Sequence, residues 1–151
     1  MTGVIFAIYA VASVLAALAC GMYLDLVGHR CMLCFAILLM ASSIACFGVI
    51  ESLTDKIAIL VLSIALRLSQ GVASGMINTT VYSYVAQAYP QNIEKVVSMS
   101  EGFVGIGCAM GPILGSIIYE AVGFSYTFYI FGVAMAPFAI LICACLNKPK
   151  K

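Results

Sequence analysis

The chain has 151 residues, 64% of them hydrophobic and 9% charged, with a formal net charge of +1. A soluble domain carries about 25% charged residues, so this chain cannot dress a water-facing surface, and its charge balance offers no basic patch for nucleic-acid phosphates. The class that remains is an all-α integral membrane protein, in which apolar runs of about 18 residues or more cross the bilayer as helices.

The first apolar run covers about residues 3–24. It lacks a basic start, exceeds the length of a signal-peptide core and is followed by further runs, so it reads as a span. After it comes Gly21-Met22-Tyr23-Leu24-Asp25-Leu26-Val27-Gly28-His29-Arg30-Cys31-Met32-Leu33, in which an acid, a histidine and an arginine fall within six residues. Residues 25–30 are expected to form the link to a second span over about 31–50. Cys31 and Cys34 make a CxxC with no second pair nearby, and His29 is the single histidine. A zinc site needs about four ligands, so neither metal nor cofactor is expected. Cys20, Cys46, Cys108, Cys143 and Cys145 lie in apolar runs, where cysteine packs as a small hydrophobe.

A third span starts near Ile57 and reaches at least Asn78. Arg67 falls about ten residues into it, near the bilayer midplane, where an arginine costs at least ~2.5 kcal/mol and marks a functional position. At about 100° per residue, Arg67, Gln70, Ser74, Asn78 and Tyr82 share a sector of roughly 120°. Such a polar stripe lines an aqueous cavity or meets polar groups on other helices. Gly71 and Gly75 form a GxxxG beside it.

The fourth span runs over about 96–119. Gly107, Gly111 and Gly115 recur at steps of four and form a smooth face for sliding or for static close packing. Pro112 cannot donate to the carbonyl of Cys108, and a kink is expected there. Glu101 opens this helix. It is a candidate proton carrier, and equally an ordinary acid in an early helical turn, where negative charge is favoured. A fifth span covers about 124–146.

The links are short, so neighbouring helices run antiparallel. Arg30, Lys95, Lys148, Lys150 and Lys151 then fall on one side of the membrane and Lys56 on the other. The positive-inside rule places the N-terminus of this segment outside and its C-terminus in the cytoplasm. Residues 1–147 form the helical unit, and 148–151 a basic tail or the start of a central loop. The few Ser, His and acidic residues are not arranged as a nucleophile with its base, so no enzyme is expected.

Three motifs in order resemble those of the major facilitator superfamily of secondary transporters. Gly21, Asp25, Gly28, Arg30 and Leu33 are similar to the family's loop pattern G-x-L-A-D-R-x-G-R-K-x-x-L, with Leu26 and His29 in place of basic residues. Arg67-Leu68-Ser69-Gln70-Gly71 resembles its fourth-span motif R-x-x-Q-G. Gly107 to Ser116 resembles its fifth-span antiporter motif G-x-x-x-G-P-x-x-G-G, with Ser116 for the last glycine. The run Glu101 to Gly107 is similar to the vesicular amine and polyamine transporter branch.

The resemblance implies spans two to six of a twelve-span fold, in which each six-span half is a pair of inverted repeats. It implies proton-coupled antiport of a small organic cation or drug-like amine by alternating access. Arg67, Gln70, Ser74, Asn78 and Glu101 would lie on the substrate and proton pathway. Gly21, Asp25, Gly28 and Arg30 would form a gating loop, and Gly107, Gly111, Pro112 and Gly115 a hinge and packing face. The implied partners are the lipid bilayer, substrate, protons, a first span and a second half. The alternative from a different class is a non-transporting helical subunit that packs in a larger membrane complex.

Overall fold

The computed structural model describes residues 2–52 and 54–145. The basic end, Lys148 to Lys151, lies outside the described residues, as do the side chains of Cys143 and Cys145. Five α-helices follow one another: α1 (Thr2–Val27), α2 (His29–Phe47), α3 (Lys56–Ala88), α4 (Ile93–Val122) and α5 (Phe124–Cys145), with a 3-10 helix, Gly48–Ser52, between α2 and α3. All five are long and apolar enough to cross a membrane. At 1.5 Å per residue, the 33 residues of α3 extend about 50 Å, well beyond a ~30 Å hydrocarbon core.

Two turns are tighter than the expected links. Residues 25–27 finish α1 and His29 opens α2, so Gly28 alone reverses the chain. Gly123 alone joins α4 to α5. Their φ values are 86° and 83°. With ψ of 143° and −178°, both lie where a side chain is strained by about 1–3 kcal/mol and glycine is not.

α1 packs mainly along α3, and α2 along both α3 and α5. Small residues set these contacts, as expected where lipid supplies no hydrophobic drive between helices. On α3, a Cβ added at Gly71 would lie 2.5 Å from the Tyr9 carbonyl oxygen, and one at Gly75 2.2 Å from that of Ser13. On α5, a Cβ at Gly132 would lie 2.9 Å from the Ala45 Cβ. Ala36, Ala73 and Thr80 sit buried at such contacts. The Ser43 and Ser69 hydroxyls join α2 to α3 at 2.9 Å.

The helix α4 differs from the rest. None of its residues is buried, and its neighbours are α3 and α5. Pro112 lies inside it.

At the Gly123 end, α5 is capped from a distance. Glu51 of the 3-10 helix accepts from the Ser125 backbone N–H at 3.1 Å and from the Ser125 hydroxyl at 2.5 Å. The Ser125 hydroxyl also lies 2.7 Å from the Gly48 carbonyl oxygen. An acid at a helix N-terminus satisfies open N–H groups and meets the positive end of the macrodipole.

Candidate functional site

Arg67 lies one third of the way along α3, where the helix packs on α2 and faces α5 across a cavity. Its Nη1 donates to Gln70 Oε1 at 3.1 Å, a bond the three-residue spacing allows. Its guanidinium carbon stands 5.2 Å from the centre of the Phe47 ring, a cation–π distance. Phe47 in turn stacks on Phe128 of α5 at 5.6 Å. Arg67 is half-buried and Gln70 buried.

These groups wall a cavity of about 340 Å³. Tyr9 of α1, Met40, Ile44 and Phe47 of α2, and Phe128, Phe131 and Met135 of α5 complete it. Arg67 is the charged residue of a lining that is otherwise aromatic, thioether, aliphatic or amide. Few polar groups in a concave, apolar wall are the usual composition of sites that take small organic molecules. A guanidinium is suited to a carboxylate or another anion, and the rings and thioethers to an apolar body.

The rest of the stripe continues down α3. Ser74 is half-buried, and Asn78 and Tyr82 are exposed. Neither Ser74 nor Asn78 lines the Arg67 cavity. Glu101 is on α4 and reaches α3 through a hydrogen bond from the Tyr82 hydroxyl. Arg67 and Gln70 are thus brought together, while Glu101 belongs to a second location nearer the Gly28 end.

The Gly21–Leu33 motif occupies that end. Asp25 is in the last turn of α1 and Arg30 in the first turn of α2, both exposed. Each sits at the helix end that disfavours its charge: carboxylates are stabilised at N-termini and cations at C-termini. Asp25 and Arg30 therefore gain by meeting groups beyond their own helices. Gly21 is inside α1 rather than in the turn, with open space where a Cβ would be. His29 lies 3.2 Å from Ser83 Oγ through Nε2 and meets the Tyr84 ring edge-on at 6.1 Å. It fastens the turn to α3.

Gly107, Gly111 and Gly115 face open space at their Cβ positions. Cys31 is an exposed free thiol, and Cys34 one turn on is buried. Phe47, Phe128 and Tyr9 were missed from sequence. They come from three other helices, and only the aromatic content of the runs hinted at them.

The family model for the Major Facilitator Superfamily matches residues 1–151. The mouse MFS-type transporter SLC18B1 is 30% identical over 132 residues, 87% of this chain and 29% of that protein. A zebrafish probable vesicular acetylcholine transporter-B is 26% identical over 146 residues, 95% of this chain and 26% of that protein. A mouse probable small intestine urate exporter is 38% identical over 72 residues, 47% of this chain and 15% of that protein. No solved structure matches. The chain therefore spans less than a third of the length of these relatives. A family match over every residue, with five apolar helices and an arginine in their midst, leads to one conclusion: this chain belongs to the major facilitator superfamily of membrane transporters.

Proposed function

We propose that the chain forms spans two to six of a secondary transporter that exchanges protons for a small organic cation or drug-like amine by alternating access. The observation that carries the transport reading is the cavity in which Arg67 and Gln70, on a helix long and apolar enough to cross a membrane, stand among Phe47, Phe128, Phe131 and Met135. An ionisable residue within a membrane span is costly and marks a functional position. Similarity to a protein named for acetylcholine, an organic cation, supports the substrate class.

In this reading Arg67 organises the cavity, Gln70, Ser74 and Asn78 continue the pathway, and Glu101 carries the proton. Asp25, Arg30 and the Gly28 turn form the gate, with Asp25 meeting a helix N-terminus of the second half. Gly107, Gly111, Pro112 and Gly115 give α4 a smooth face for a neighbouring span. A first span and a second six-span half complete the machine, on a longer chain or on a partner chain. The Gly28 end faces the cytoplasm.

The charge of the cavity favours a second substrate class. Within this chain its lining holds one cation and no acid, which suits an organic anion, whereas an ammonium substrate needs an acid from a span outside this chain. The likeness to a protein named a urate exporter points the same way. The test is uptake of radiolabelled acetylcholine and of radiolabelled urate into vesicles holding the complete transporter, under an imposed proton gradient. Proton-driven acetylcholine uptake is the expected result. Urate uptake in its place would establish the anion reading, and uptake of neither, with a co-purifying assembly, would favour the helical subunit.

A further inference from the structure

A second cavity, of about 440 Å³, opens at the end of the bundle opposite Gly28 and shares no wall residue with the Arg67 cavity. Its volume falls in the usual range of about 300–1,000 Å³ for small-molecule sites. Glu51 of the 3-10 helix and Phe124, Tyr126 and Tyr129 of α5 line it. Of the two cavities, this is the one that holds an acid.

Both parts of this wall are held in place. A Cβ added at Gly48 would lie 2.9 Å from the Tyr129 ring, so that ring rests on the backbone of the 3-10 helix. Tyr126 meets Tyr129 edge-on at 6.4 Å, which sets two ring faces nearly at right angles. A tyrosine that only anchors a helix end sits among lipid headgroups, whereas Tyr129 packs on protein beside a carboxylate. Glu51 is fixed by Ser125, whose N–H and hydroxyl both donate to Oε2. Among the described residues nothing donates to Oε1, which remains open to a ligand.

The charge of this end agrees with the wall. Among the described residues it carries Glu51, Asp55 and Glu120 against Lys56. The start of α5 offsets this by about half a positive charge, so the end attracts cations. Rings also connect the two cavities. Phe124 lies 4.8 Å from Phe128, which stacks on Phe47 beneath Arg67.

We propose that this mouth is a binding site for an organic ammonium ion. Glu51 Oε1 pairs with the charge, and the faces of Phe124, Tyr126 and Tyr129 take the N-alkyl groups, as in aromatic cages for quaternary ammonium. The ion is captured here before it moves along the rings toward the Arg67 cavity. Binding stands by itself, and the onward movement rests on the cation transport proposed above.

The test titrates acetylcholine into the complete transporter in dodecyl maltoside micelles, which carry no ammonium group. Saturation transfer to the N-methyl protons reads binding, and cross-relaxation with tyrosine rings, lost in Tyr126→Leu, reads its place. Glu51→Gln keeps an acceptor for Ser125 and removes the charge. It should weaken binding roughly fivefold, the upper range for an exposed ion pair. Tyr129→Leu should weaken it roughly threefold, as for an exposed cation–π contact. Unchanged affinity in Glu51→Gln overturns the site. The parent protein supplies a readout free of any folding defect. The neutral isostere 3,3-dimethylbutyl acetate should bind at least about fivefold more weakly than acetylcholine, and equal binding overturns ammonium recognition. Lipid choline headgroups share this chemistry. Displacement of acetylcholine by added phosphatidylcholine, but not by phosphatidylglycerol, would make the occupant a lipid and overturn capture of substrate; no displacement is expected. Vesicle uptake separates the two levels. Acetylcholine bound at the mouth without proton-driven uptake overturns the transport reading and leaves the site. Uptake whose KM is unmoved by Glu51→Gln overturns the capture role and leaves the transport reading.

Discussion

Gly75 on α3 lies against the backbone of Ser13 on α1, so closely that an added methyl group would stand 2.2 Å from the Ser13 carbonyl oxygen. The neighbour is backbone and cannot rotate away. Gly75→Ala must push α1 and α3 apart, and Gly71→Ala must do the same against Tyr9. Each is expected to lower stability by about 1–3 kcal/mol, the usual range for overpacking. Thermal unfolding in detergent measures this. Gly107→Ala and Gly111→Ala, whose Cβ positions meet open space, are the controls in this chain and should leave the melting temperature where it was.

The single-residue turns give a second prediction. Gly28→Ala and Gly123→Ala place a side chain at φ values near +85° (86° and 83°), a loss of about 1–3 kcal/mol at each site. Space is not the cause, since neither position has an atom within 4 Å of the added Cβ. A d-alanine introduced at Gly123 by semisynthesis, where φ 83° and ψ −178° are the mirror image of ordinary extended backbone and so suit a d-residue, should therefore restore the stability that l-alanine removes.

The distant cap of α5 gives a third. Ser125→Ala removes the hydroxyl that bridges Glu51 and Gly48, and Glu51→Ala removes the acceptor at the helix start. Each should cost about 1 kcal/mol, as for other helix caps. The double substitution should cost less than the sum of the two, because both act on one contact. A double-mutant cycle on unfolding free energy reads the difference.

Arg67 separates charge from shape. Arg67→Lys keeps a cation but loses the planar group that stacks over Phe47 and the fork that reaches Gln70. Transport by the complete protein should fall about tenfold or more in Arg67→Lys, equivalent to ~1.4 kcal/mol, and vanish in Arg67→Ala. Proton flux coupled to substrate in vesicles measures it. Intact flux in Arg67→Ala would remove Arg67 from the pathway.

Helices and their order were legible because long apolar runs admit no other structure in a membrane. The turns were misjudged in length. Charge and glycine suggested a link over residues 25–30, but α1 carries Asp25 in its last turn and α2 starts with His29, with Gly28 alone between them. Local polarity does not end a helix that one glycine can reverse. The Arg67–Gln70 bond was readable from its spacing, since both groups lie on one helix. Phe47 beneath the guanidinium was not, because it arrives from α2 by tertiary packing. For the same reason Tyr82 was visible as part of the α3 stripe, while its partner Glu101 emerged only once α4 was in place. The two GxxxG-like patterns look alike in sequence and differ in space. Those of α3 touch α1, whereas those of α4 touch nothing within the described residues.

The most direct measurement is water access to the α3 stripe. Gln70→Cys, Ser74→Cys and Asn78→Cys would be made singly in the complete transporter, in a background freed of native cysteines, and treated with a membrane-impermeant thiol reagent. Labelling at all three positions, slowed by acetylcholine, is the expected result. Three thiols that stay inert from both sides of the membrane would show a dry stripe, and would contradict the transport role given to Arg67 and its neighbours.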